Sequence, residues 1–198
     1  MRSLRFFLCG AVALLMFASL DVAGRAHHDD SPDSPVFKAD GLQFVMPARW
    51  IAETPPDSVR AGQWRIPAAR GAAAGPDDGE LVVFYFGPGL GGAAQKNIDG
   101  WRGTLRDASG NPVAGEVKTR QAGSFKVSEL VATGSYRDPA PLAGLPPIMR
   151  PGYELAGAVI ESPKGNLYWR LIGPEPLVTA ALPLFRQAID SVKPLPGG

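Results

Sequence analysis

Glu80-Leu-Val-Val-Phe-Tyr-Phe86 opens on a carboxylate and then runs through six apolar or aromatic residues without a break. A strand with one wet face alternates apolar and polar side chains; this one does not, so both its faces need cover. The run is too short for a helix and is closed by Gly87-Pro-Gly-Leu-Gly-Gly92. It reads as a strand buried between two layers and as the middle of a sheet.

The neighbouring segments supply the layers. Downstream, Ala94, Ile98, Trp101 and Leu105 recur at helical spacing, predicting a helix over about 93–106 whose apolar stripe covers one sheet face. Gly100 and Gly103 each lower its propensity by about 1 kcal/mol relative to Ala, so packing has to hold it. Upstream, Leu42, Phe44 and Met46 alternate with Gln43 and Val45 in a strand closed by Pro47, and Gln63 to Pro67 makes a second short strand. Residues 68–79 are a patternless loop. Beyond the helix, Asp107 to Pro112 reads as a turn. Residues 116–121 and 124–133 then form a hairpin through Ala122-Gly123, its first arm alternating Val117 and Thr119 with charged residues, so that one side is wet. Residues 134–152 carry prolines at 139, 141, 146, 147 and 151 and are expected to be irregular, either as a partner-contact loop or as a flap. Tyr153–Glu161 and Asn166–Ile172 make a second hairpin. Arg170, inside an apolar arm, must reach an acidic partner or the sheet rim, because an unpaired buried charge costs several kcal/mol. The last element is a helix with Val178, Ala181, Leu182, Phe185, Ala188, Ile189 and Val192 on one stripe. Pro183 within it predicts a late start near Ala180 or a kink.

Composition sets the address and removes whole classes of chemistry. Arg2 and Arg5, an almost wholly apolar run from Phe6 to Leu20, and small residues before Gly24 and Ala26 read as a secretory signal peptide over residues 1–26, cleaved after Gly24 or Ala26. The run is shorter than the about 17–25 residues of a spanning helix; an uncleaved anchor is the alternative. The arginines are not adjacent, which favours general export over a twin-arginine route. No later stretch is long enough to span a membrane. Cys9, the only cysteine, lies inside this segment without a small residue before it, so lipidation is not expected and the processed chain holds no disulfide, cysteine-bound zinc or cysteine nucleophile. Residues 27–36 show no apolar periodicity and read as a disordered tail, leaving 37–198 as one domain. Loss of Arg2, Arg5, Arg25 and Asp21 moves the formal charge from +1 to −1. Arginines and carboxylates are interspersed, so no nucleic-acid partner is expected.

The motifs narrow function by elimination. Gly87 to Gly92 matches G-x-G-x-x-G between strand and helix, but the chain continues as hairpins where a dinucleotide fold needs parallel strands, and no Lys-Ser/Thr follows. We read it as a link into the helix, with no cofactor. Both histidines, His27 and His28, lie in the tail, so the domain lacks a histidine or cysteine for general-base, nucleophilic or soft-metal chemistry, and no catalytic residue is assigned. The carboxylates Glu129, Glu154 and Glu161 read as solvated strand-end charges. Cleavage after Gly24 would expose Arg25-Ala-His27, and a free amine with histidine third chelates copper(II) or nickel(II) in a square-planar nitrogen set, with His28, Asp29 and Asp30 as further ligands. Trp50, Trp64, Trp101 and Trp169 all fall on predicted core positions.

Leu42-Gln-Phe-Val-Met-Pro-Ala-Arg-Trp50, the closing Leu171-Ile-Gly-Pro174 and Phe185-Arg-Gln-Ala-Ile-Asp-Ser-Val192 together resemble the family that includes the photosystem-associated extrinsic protein PsbP, the Ran-binding Mog proteins and many exported bacterial proteins of unknown role. The likeness runs over about residues 37–193. It implies an α+β fold, a central, mainly antiparallel sheet with helices on both faces (an α/β/α sandwich), and members that dock to larger assemblies without catalysis. No functional residue transfers from it. The expected protein is therefore a secreted or periplasmic, non-enzymatic interaction or accessory protein whose partner is another protein or an envelope complex. A small-molecule or copper/nickel carrier is the alternative, and a carboxylate-only hydrolase the third reading.

Overall fold

The computed structural model describes residues 34–69, 73–139 and 146–195. Within them the chain forms β1 (Val36–Ala39), β2 (Leu42–Val45), β3 (Ile51–Glu53), β4 (Arg60–Ile66), β5 (Gly79–Tyr85), α1 (Ala94–Arg102), β6 (Leu105–Arg106), β7 (Glu116–Ala122), β8 (Phe125–Asp138), β9 (Ile148–Glu161), β10 (Leu167–Pro174), α2 (Glu175–Asp190) and β11 (Lys193–Pro194). The larger sheet runs in the order β3-β4-β5-β10-β9-β8-β6, with β7 also on β8, and the smaller in the order β1-β2-β11. Every pairing is antiparallel.

The apolar run is an inner strand, as its two-sided hydrophobicity requires, with Leu81, Val82 and Val83 wholly buried. It is not the centre. That place belongs to β10, between β5 and β9, whose Leu167, Tyr168, Trp169 and Leu171 are equally enclosed. Side chains alternate across a strand, and two core clusters divide by that parity. Ile98 and Trp101 of α1 pack with Leu130, Leu155, Val159, Tyr168 and Ile172. Val178, Ala181, Phe185 and Ile189 of α2 pack with Val127, Ala156, Ala158, Ile160, Leu167, Trp169 and Leu171, together with Phe44 and Met46 of the small sheet.

Several expectations are corrected. The strand at Leu42–Val45 is hydrogen-bonded into a separate small sheet that packs on the large one, and β1 comes before it: Val36 is already paired with Val45, so the presumed tail ends sooner than residue 36. α1 stops at Arg102, and Leu105 is buried from strand β6 instead, because Gly103 ends the helix. β7 is an edge strand, and Val117 on its expected dry side is 38% exposed. α2 starts at Glu175, with Pro176 in its first turn where no N–H is needed, and continues through Pro183 without the late start. The largest correction concerns residues 134–152. Their ends are regular: Tyr136 pairs with Arg150, Arg137 with Met149 and Asp138 with Ile148, extending the β8–β9 ladder as an arm. Pro151 is tolerated because it falls at the register shift between Gly134 and Tyr136, beyond the last β10 pairing at Tyr153.

Candidate functional site

Charged and aromatic side chains gather over β4, β5 and β10, on the sheet face that carries Tyr168 and Ile172. Cross-strand partners share a face. Glu80 stands opposite Arg65, Val82 opposite both Gln63 and Arg170, and Phe84 opposite Arg60. Two guanidiniums lie against one ring: the Cζ atoms of Arg170 and Arg60 are 5.5 and 5.9 Å from the Phe84 centroid, within cation–π range. Phe86 stacks on Phe84 at 6.1 Å and meets Tyr168 edge-on. Glu80 sits between the arginines, its carboxylate oxygens 3.6 Å from Arg60 Nη1 and Arg170 Nη2. These separations exceed a hydrogen bond, so Glu80 offsets one of the two charges without saturating the donors, and Asp57 Oδ2 comes closer to Arg60, 3.2 Å from its Nε. Arg60 Nη1 donates to Gln63 Oε1 at 2.8 Å, and Gln63 Nε2 to Glu53 Oε2 at 3.2 Å. The strand order thus answers the question of Arg170: it has an acidic partner on the neighbouring strand.

The rim of this face is anchored by Asp78. Its carboxylate accepts hydrogen bonds from the Ala68 and Gly75 amides at 2.8 and 3.0 Å and from Arg65 Nη1 at 2.8 Å. Those bonds, led by the Ala68 amide, hold the Asp78 carboxyl below its ordinary range.

Where α2 side chains meet β8 and β9, the structure overturns the reading of two carboxylates as solvated. Glu129 and Glu154 are only 3% and 4% exposed. Glu129 Oε1 accepts from Arg186 Nε and Nη2 at 2.7 and 2.6 Å, Arg120 approaches its other oxygen at 3.6 Å, and Arg120 also pairs with Asp190. Glu154 makes no ion pair among the described residues, although Arg186 acts on it from a distance. It accepts one hydrogen bond from Thr179 Oγ1 at 2.7 Å, and its second oxygen is buried without a partner. Burial is the main reason its carboxyl is pushed up; the Thr179 bond opposes the shift, and the neighbouring Glu175 adds to it. Glu161 alone behaves as expected, pairing with Lys126 near the strand end. The two buried carboxylates are not juxtaposed. Glu129 is opposite Ala158 and Glu154 opposite Thr133, so they are about 13 Å apart along the ladder, beyond the roughly 5–9.5 Å of glycosidase pairs.

The other singled-out residues fall as follows. His27 and His28 lie outside the described residues, among which no group of three or more His, Cys, Asp or Glu is placed to hold a metal. In the glycine-rich link, Tyr168 Oη donates to the Gly92 carbonyl at 2.7 Å and Asn97 Nδ2 to that of Gly91 at 2.9 Å. A Cβ on Gly91 would come within 2.6 Å of Tyr168, so packing explains the glycine without a phosphate. All four tryptophans are in the core. The hollow between Met46, Pro47 and Leu184 has room for about one water molecule. Sequence reading missed Arg60, Gln63 and Glu80 as a group. The usable signal was the alternation of Gln63 and Arg65 with Trp64 and Ile66, which marks one face of β4 as polar.

No family model matches the sequence, and no curated protein matches it. Among solved structures, the chain is similar to LpqN of Mycobacterium tuberculosis, described as involved in cell envelope biogenesis, at 14% identity and a TM-score of 0.52, covering 78% of this chain and 83% of that one. It also matches the solution structure of cyanobacterial PsbP from Synechocystis at 16% identity and a TM-score of 0.46 over 78% and 87% of the two chains. A Pseudomonas aeruginosa protein of unknown function matches at 14% identity and a TM-score of 0.44 over 82% and 98%. At these identities the LpqN likeness speaks to fold alone. No helix among the described residues is long and apolar enough to cross a membrane.

Proposed function

We propose that the protein is an exported, non-enzymatic docking module, and that the arginine–aromatic face over β4, β5 and β10 is where another protein of an envelope assembly seats. One observation carries this reading: the guanidiniums of Arg60 and Arg170 lie over the Phe84 ring beside the exposed Phe86, with Glu80 3.6 Å from each. Arginine and aromatic side chains dominate interface hot spots, and guanidiniums already braced on a ring lose little freedom on binding. The leader-like residues 1–26 and the fold shared with an envelope-biogenesis protein support the address. The same reading takes the architecture as an α/β/α sandwich. It is supported by the opposite parities of the β9 and β10 residues that pack with α1 and with α2.

A photo-reactive residue in place of Phe86 tests the proposal in the exporting cell. It should give a discrete adduct with another protein, and Arg170→Ala should weaken that contact by about 2 kcal/mol, or roughly thirtyfold. The same residue at Lys118, on β7, should not. Identical adducts from both positions would remove this face from consideration.

A further inference from the structure

The single hydrogen bond of the buried Glu154 carboxylate ties β9 to α2. Its Oε2 accepts from Thr179 Oγ1 at 2.7 Å, and its Oε1 is enclosed without a partner. Across the ladders Glu154 stands opposite Thr133 of β8 and Gly173 of β10, neither of which titrates. Two charged groups act on it from α2: Glu175, of the same sign, and Arg186, of the opposite one. The turns of α2 that carry Thr179 are weakly held. Pro174 at the N-cap offers no side-chain hydrogen bond, so the free amides of the first turn go uncapped. Pro183 leaves the Thr179 carbonyl without its usual donor and interrupts the helical ladder there. Beyond the proline, Arg186 fastens the helix to Glu129 with two hydrogen bonds. Before it, the helix is held by the burial of Val178 and Ala181 and by the Thr179–Glu154 bond.

We propose that Glu154 is a pH-sensitive latch on the first two turns of α2, closed while its carboxyl is protonated and loosened when the carboxyl ionises. A protonated carboxyl leaves one neutral oxygen short of a partner, whereas an ionised one leaves a buried charge on a single hydrogen bond, which is the costlier state. Opening residues 175–182 lets water reach the carboxylate and relieves that cost, at the expense of exposing Val178 and Ala181. Burial keeps the closed form protonated to higher pH than a solvated glutamate; the Thr179 bond opposes this, Glu175 adds to it and Arg186 opposes it. The closed form therefore binds the proton more tightly than the open one. Closure is fullest in acid and declines as pH rises from the ordinary glutamate range to the raised value. The latch shares no residue with the arginine–aromatic face and does not depend on it.

Amide hydrogen exchange on the full chain, corrected for the intrinsic rate at each pH, reads the latch. Residues 179–182 carry the first amides that bond inside the helix. They should exchange well ahead of residues 156–160 in β9, which open only with the whole molecule. Their protection should fall about fivefold from acid to neutral solution. Glu154→Gln should hold the acid level throughout. Glu175→Gln should keep the fall and move its midpoint to lower pH, and Thr179→Val should move it to higher pH. Exchange of 179–182 in step with 156–160 at every pH would mean that α2 opens only with the whole domain, and overturns the proposal. So does early exchange at 179–182 that ignores pH, or a fall that survives in Glu154→Gln.

Discussion

Gly157 is empty because Trp101 fills the space: a Cβ built on this β9 glycine would collide with the indole ring. Gly157→Ala should therefore lower stability by about 1–3 kcal/mol through overpacking, seen as a lower denaturant midpoint, and Trp101→Phe in the same chain should recover part of the loss. Glu154 presents the opposite problem, a buried acid short of partners. Its native carboxyl holds a proton to higher pH than the unfolded chain does, so stability falls as pH rises from the ordinary carboxylate range to the raised value, and stays lower above it. Glu154→Gln removes that dependence. The variant should match the parent in acid and exceed it near neutrality by about 1 kcal/mol, the scale of one unsatisfied buried polar atom, in denaturation curves measured across pH. Asp78 works in the reverse sense. Its carboxyl is depressed, so its contribution is present above the ordinary aspartate range and is lost as pH falls below it. Neither buried carboxylate was visible beforehand, since a glutamate in a strand reads the same whether a helix lands on it or water does.

At the level of elements, α2 carries its own defect. Pro183 sits exposed in the middle of the helix, leaving the Thr179 carbonyl without its usual N–H donor. Pro183→Ala should raise the unfolding free energy by about 1–3 kcal/mol, read as a higher denaturant midpoint, without altering the fold, since proline costs about 3 kcal/mol in a helix interior. The helix is fastened to β8 through Arg186 and Glu129. Arg186→Ala leaves Glu129 buried without its hydrogen-bonded partner and should cost about 3–5 kcal/mol, whereas Arg186→Met with Glu129→Leu should restore most of it. The start of the chain's folded part shows a signal that was legible and unused. Asp40 and Gly41 take positive φ of 48° and 71°, the backbone of a tight hairpin turn, and Asp-Gly is a strong sequence marker for it. Reading that pair would have placed β1 against β2.

For the whole molecule, the decisive contact is between the two sheets. Phe37 meets Trp64 edge-on at 4.9 Å and Phe44 meets Trp169 at 5.0 Å, so side chains of the small sheet are buried in the core of the large one. β11 returns from α2 to pair with β2, and the Leu195 amide donates to the Gly41 carbonyl at 2.7 Å, tying the end of the described chain to its start. Such shared burial predicts one cooperative transition, with tryptophan fluorescence and far-ultraviolet circular dichroism superimposing. Phe44→Ala should shift both signals together by about 3–5 kcal/mol. Two separated transitions would show that the sheets hold independently.

Local patterns were enough to place strands within 42–46, 80–86 and 166–172, the hairpins around Gly123 and Gly165, two amphipathic helices and the burial of every tryptophan. Each of these depends on periodicity or on turn chemistry within a few residues. Tertiary structure alone decided that β5 pairs with β10 across more than eighty residues of chain, that Arg60 and Arg170 meet on Phe84, that Glu129 and Glu154 lie beneath α2, and that the ends of a proline-rich stretch extend a ladder. The physical reason is common to all four. Which side chains meet across a sheet depends on strand order and register, and those are set by the joint packing of distant segments, to which no single segment holds the key.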